Sequence, residues 1–182
     1  IICSNKSGLN AFTAKVYIDC TGDGDLAAWA GAKYEKGDRD SNMQPATMCF
    51  FITNVDEQAL EKGPAIHFFD PESPVHKAIK SDKYPDIIDL HSCLKKIGPK
   101  VFGFNTGHVF DVDNTDPVNV SNALVTGRRM AHQYREAFSK WHPAFKNSFL
   151  AATGGLLGVR ETRRIKGDYY LNKQLEKLGV DK

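Results

Sequence analysis

The chain has 182 residues, 41% hydrophobic and 25% charged, which excludes a disordered or fibrous protein and suffices for one good core, with or without a small appendage. Its 24 basic and 22 acidic side chains are mixed along the sequence and leave a net charge of +2, too even a distribution to grip a phosphate backbone, so nucleic acid is not expected as a partner. No apolar run approaches the roughly 20 residues needed to span a bilayer, and a soluble protein is expected.

In chain order, Ile1 to Ser4, the polar turn Asn5-Lys6-Ser7-Gly8 and the alternating stretch to Asp19 predict a hairpin, with Phe12 to Ile18 as its second strand. That strand feeds the turn Thr21-Gly22-Asp23-Gly24-Asp25. Leu26 to Ala30 then carries strong helix formers and ends at Gly31, a C-terminal cap. From Lys33 to Gln44 the chain is polar and charged, which places a boundary between a first module, residues 1–33, and a second, residues 34–182.

In the second module, Ala46 to Val55 has the β-branched and aromatic content of a strand, and Asp56 caps a short helix. A strand near Ala65 to Phe69 and helices over Val75 to Lys80 and Ile87 to Lys96 follow. Val101 to Asn105 and His108 to Val112 read as a hairpin across Thr106-Gly107. Val118 to His142 is the longest helical signal, introduced by Asp116-Pro117 and broken at Pro143. A second helix is expected from Phe145 to about Leu157, and a short amphipathic end from Asn172 to Leu178. The fold class is α+β.

The acidic glycine turn carries the first chemical signal. Gly22 and Gly24 let the backbone turn tightly and approach a ligand, while Asp23 and Asp25 accept hydrogen bonds from sugar or ribityl hydroxyls. Plain turn and N-cap roles for Asp23 and Asp25 are the alternative. Asp19, Thr21, Asp23 and Gly24 fit the start of an EF-hand loop, but Ala30 stands where the bidentate Glu belongs and a strand precedes the loop. The run Asp111 to Asp116 fails the same test, with Asp116 in the glycine place. No metal site is expected: the six histidines show no ligand spacing, and Cys3, Cys20, Cys49 and Cys93 lie far apart and read as buried reduced thiols. His108 is the histidine to watch as a proton donor.

The second signal is the basic cluster Arg160 to Lys166. Arg160, Arg163 and Arg164 offer planar forks of donors that clamp a carboxylate or stabilise negative charge, or else pair with Glu161 or Asp168 as structural bridges.

The stretch Ala14 to Ala27, containing Asp19-Cys20-Thr21-Gly22-Asp23-Gly24-Asp25, resembles a signature of a family of bacterial FAD-dependent oxidoreductases in the glutathione-reductase-like flavoprotein group. Gly158-Val159-Arg160-Glu161-Thr162-Arg163-Arg164 and the residues to Leu171 resemble a second signature of the same family, and Thr115-Asp116-Pro117 with Gly127-Arg128-Arg129 resembles the approach to it. The resemblance implies a substrate-side α+β domain with a remnant of the α/β FAD-binding domain. It implies FAD as cofactor, with Thr21, Gly22, Asp23, Gly24 and Asp25 facing it and Arg160, Arg163 and Arg164 as catalytic candidates toward an unidentified small-molecule substrate.

The G-x-G-x-x-G fingerprint of that group does not occur in this sequence. With the opening on Ile1-Ile2, this reads as an internal piece of a longer enzyme, inactive alone, whose other FAD-binding parts are its partners and which does not retain FAD by itself. The compartment stays open, with cytoplasm favoured. The rival reading is a non-catalytic α+β binding or interaction domain whose arginines recognise an acidic partner.

Overall fold

The structure, a computed structural model, describes residues 1–169. The expected end at Asn172 to Leu178, with Tyr170 and Leu171 of the arginine segment, lies outside the described residues. The chain forms two compact units: Ile1–Glu35 with Arg163 to Tyr169 of the described residues, and Lys36–Thr162.

In the first unit, β1 (Ile2–Asn5) and β2 (Gly8–Ala11) form the expected hairpin, in register from Ile2 opposite Ala11 to Asn5 opposite Gly8. The Asn5 carboxamide oxygen closes the turn by accepting from Ser7 N at 2.9 Å. The second strand ends at Ala11, and Phe12 to Ile18 is not a strand. Beyond Phe12, which exchanges hydrogen bonds with Ile1, the segment joins no sheet among the described residues, and a strand without a ladder has no partners for its backbone groups. The Tyr17 hydroxyl instead ties the segment into a local loop, accepting from Ala14 N at 2.9 Å and donating to Phe12 O at 3.1 Å.

Helix α1 (Asp25–Trp29) has Gly24 as its N-cap, so Asp25 is the first helical residue and not the cap. It ends as the sequence predicts: Gly31 adopts φ 92° and lets Ala32 N bond back to Ala27 O at 2.9 Å. β3 (Tyr34–Lys36) pairs with the strand Arg163–Ile165.

The second unit is built on a four-stranded antiparallel sheet. β4 (Phe50–Thr53), β5 (Ser92–Gly98), β6 (Val101–Thr106) and β7 (Phe149–Thr153) are ordered β5-β6-β4-β7. Phe50, Ile52, Phe102 and Phe104 alternate onto one face, and Phe50 lies opposite Phe104 with ring centroids 5.0 Å apart. Helix α2 (Glu57–Lys62) is capped by Asp56, which accepts from Ala59 N at 3.1 Å, and α3 (Pro74–Lys80) matches its expected position.

The long helix α4 (Pro117–Trp141) starts where Asp116 accepts from Val118 N and Asn119 N, has Pro117 in its first turn, and stops before Pro143. Its buried residues, from Ala123 through Gly127, Met130, Tyr134 and Phe138, fall at helical spacing. Gly127 permits close approach, because a Cβ there would lie 2.7 Å from Met48 Cβ. Tyr134 and Phe138 join Phe50, Phe104 and Phe145 in one aromatic core, each ring contributing about 1.5–3 kcal/mol by burial.

Several expected elements differ. The strand over Ala46 to Val55 is confined to Phe50–Thr53, with isolated bridges at Ala46 and Thr47. Ala65 to Phe69 is a turn in which Asp70 accepts from Ala65 N at 2.7 Å. The Ile87 to Lys96 helix is replaced by β5, whose pairing with β6 outweighs helix propensity. The hairpin partner of β6 is therefore β5, and His108 to Val112 is a turn with a single bridge, Val109 to Ala46. The Phe145 to Leu157 helix is replaced by a 3-10 turn at Pro143–Phe145 and β7, which completes the sheet beside β4. The four cysteines are free but exposed, not buried. Among the described residues no helix is long and apolar enough to cross a membrane.

Candidate functional site

The glycine turn owes its shape to two side chains before it. The Asp19 carboxylate accepts from Thr21 N at 2.9 Å, Thr21 Oγ1 at 2.8 Å and, across the turn, Ala27 N at 2.8 Å. Thr21 Oγ1 in turn accepts from Asp25 N at 3.0 Å. The backbone bonds from Thr21 and Ala27, then the Thr21 hydroxyl, hold the Asp19 carboxyl below its ordinary pKa. Asp19 thus has a clamping role beyond its membership of the motif; an Asp-x-Thr spacing before a helix is the local signal for such a clamp.

Arg163 secures the other side. Its Nη1 pairs with Asp25 Oδ1 and donates to Asp23 O at 3.2 Å, and its guanidinium lies 5.3 Å from the Tyr34 ring centroid. Arg163 is only 11% exposed, and its buried Nε makes no hydrogen bond. The Ile165 side chain packs against Gly24, reaching 3.0 Å from where a Cβ would stand. The turn Thr21 to Asp25 and Arg163, separated by more than a hundred residues in sequence, therefore form one cluster. Arg164 is exposed in the same unit, where its charge lowers the Glu35 pKa after the stronger effect of Lys166. Arg160 belongs to the second unit and is exposed; its charge contributes to lowering the His91 pKa.

This arrangement suits one kind of ligand group better than another. The amides of Thr21, Asp25 and Ala27 already bond to side chains of the motif, so they do not form a phosphate cradle. Gly22 is exposed at φ 83°, with nothing within 4 Å of the position a Cβ would take, so a ligand reaches its backbone unhindered. Among the described residues no group of three or more His, Cys, Asp or Glu side chains is placed to hold a metal ion.

The family described as FAD dependent oxidoreductase matches residues 1–175, nearly the whole chain. The chain belongs to that family. No curated protein and no solved structure matches it.

Proposed function

We propose that the chain forms the substrate side and one cofactor-facing turn of an FAD-dependent oxidoreductase acting on a small molecule. The observation that carries this reading is the Thr21 to Asp25 turn locked by Arg163, which joins the two sequence segments resembling the flavoprotein signatures. Thr21, Gly22, Asp23, Gly24 and Asp25 would hold the non-phosphate part of FAD. When bound, FAD supplies the hydride chemistry.

The chain's own residues have separate roles. Asp19 and Thr21 fix the turn, and Arg163 is a positioning residue, its Nη1 committed to Asp25 and the Asp23 carbonyl. Arg160 and Arg164 are the candidates for binding a carboxylate or stabilising negative charge on the reacting molecule. The ADP half of FAD is assigned to a G-x-G-x-x-G unit outside this chain. That division is supported by the apolar surface of the first unit: Leu9, Val16, Ile18 and Trp29 are each at least 75% exposed, a surface suited to burial against further parts of an FAD-binding domain.

The test is flavin content. The protein expressed from its complete coding sequence is expected to purify with stoichiometric FAD, and the present chain alone to show no thermal shift on adding FAD. A colourless full-length protein that takes up no added FAD overturns the reading.

A further inference from the structure

The second unit contains a cavity of about 330 Å³ bounded by the Pro85 to Ile88 stretch, the His108 to Asp111 turn and the first half of α4. Its walls are braced. Arg129 clamps Asp86 with Nε and Nη2 at 2.5 and 2.7 Å, and Gln133 donates to the same carboxylate at 2.6 Å. On the other side Asn119 accepts from Asp113 N at 3.0 Å and donates to Asp111 O at 3.1 Å, fixing the turn to the helix. The cavity is therefore preformed, as ligand sites usually are.

His108 is part of the wall and is held in place. Its Nδ1 lies 3.4 Å from Asp89 Oδ2, and its ring stacks on His91 with centroids 4.5 Å apart and planes 13° from parallel. The other Asp89 oxygen accepts from His91 N at 2.7 Å. Burial first, then His108, lowers the His91 pKa. Asp89 Oδ2 meets His108 at ion-pair distance without hydrogen-bond geometry, and the Tyr134 hydroxyl is buried without a hydrogen bond among the described residues.

The lining selects the ligand. Asp86 and Asp111 line the cavity and no Lys or Arg among the described residues does, which disfavours an anion. Both Asp86 oxygens are engaged by Arg129 and Gln133, so a bound cation would meet a single carboxylate, Asp111. Beside the Asp111 carboxylate, an acceptor for hydroxyls, the lining offers Asn122 and Thr126, one turn apart on α4, and a wall with Ile88, Phe110 and Met130. Amide, hydroxyl and imidazole groups beside an aromatic ring suit hydroxyls carried on a carbon frame.

We propose that this cavity binds a neutral, polyhydroxylated small molecule the size of a monosaccharide, with Asn122, Thr126 and His108 bonding its hydroxyls and Phe110, Ile88 and Met130 covering its carbon face. The site belongs wholly to the second unit and does not depend on the redox reading above.

The chain has three methionines, and Met130 alone lines this cavity, so a chain carrying 13C-methyl methionine reports on it directly. D-glucose, D-galactose, D-mannose and myo-inositol are titrated in turn, with D-gluconate as the anionic control. At least one neutral probe is expected to move the Met130 methyl resonance saturably, leaving Met43 and Met48 in place, while D-gluconate does not. Thr126→Val, which keeps the side-chain shape, and Asn122→Ala, at an exposed position, are each expected to weaken that binding by about tenfold. The proposal is overturned if no neutral probe shifts Met130, if D-gluconate shifts it more strongly, or if both folded variants bind as tightly as the parent.

Discussion

Replacing Gly107 by alanine tests how the turn that carries His108 is seated. Gly107 has φ 75°, where an L side chain costs about 1–2 kcal/mol. An added Cβ would lie 2.5 Å from Met130 Sδ, 2.8 Å from Tyr134 Cε2 and 3.0 Å from the Tyr134 hydroxyl. The methionine sulfur has room to shift, but Tyr134 is fully buried in the aromatic core and has little. Overpacking of this kind adds roughly 1–3 kcal/mol, so the total is about 2–5 kcal/mol, or a fall of roughly 5–15 °C in Tm for a chain of this size. Urea denaturation of Gly107→Ala, Met130→Ala and the double variant measures it. Removing the Met130 side chain relieves part of the clash, so the double variant is expected to be about 1 kcal/mol more stable than additivity gives. A Gly107→Ala protein within about 0.5 kcal/mol of the parent refutes the packing argument.

Asp113 provides a pH test. Burial alone would raise its carboxyl, but the Lys36 and Thr115 bonds outweigh this and hold it at about 2. A depressed carboxyl contributes stability that is full above its unfolded value and lost as pH falls through the folded one. Asp113→Asn is therefore expected to cost about 1 kcal/mol at pH 7, after allowance for partial exposure, and the difference should fade between about pH 4 and pH 2; a gap that persists undiminished in acid contradicts this. Phe104→Ala, deep in the aromatic core, is expected to lose about 3–5 kcal/mol in urea denaturation. Arg163→Lys keeps the charge but loses the planar guanidinium that lies against Tyr34 and reaches Asp25 and the Asp23 carbonyl, so hydrogen exchange at the Asp25 and Ala27 amides should accelerate by about tenfold. Unchanged exchange there would mean that Arg163 does not brace the turn.

The parts of the fold legible in the sequence are those set by local chemistry. Asp116-Pro117 and Pro143 bracket α4, Asp56 caps α2, and Gly31 ends α1, because caps and breakers act within a few residues. The misread elements depend on distant partners. Ile87 to Lys96 and Phe145 to Leu157 contain good helix formers, yet both regions contribute edge strands to the sheet, through pairing with β6 and β4. Phe12 to Ile18 has strand composition but joins no sheet among the described residues. At the site, the Thr-Gly-Asp-Gly-Asp turn was visible from its glycines. The ion pair between Asp25 and Arg163 was not, because no spacing rule links residues so far apart. The stacking of His91 on His108 is hidden for the same reason, arising only from the antiparallel pairing of Ser92 with Thr106.

The central claim is that the Thr21 to Asp25 turn faces the flavin, and Gly22→Asn in the protein expressed from its complete coding sequence tests it most directly. Asparagine is among the side chains that best tolerate a positive φ, and it would enter open space, so the strain should stay local to the turn, as in the control below. Gly8→Asn, also at positive φ and open but in the hairpin turn, is the control. We expect Gly22→Asn to lower FAD occupancy by about tenfold or more while Gly8→Asn retains it. Full FAD occupancy in both variants would contradict the assignment of this turn to the cofactor.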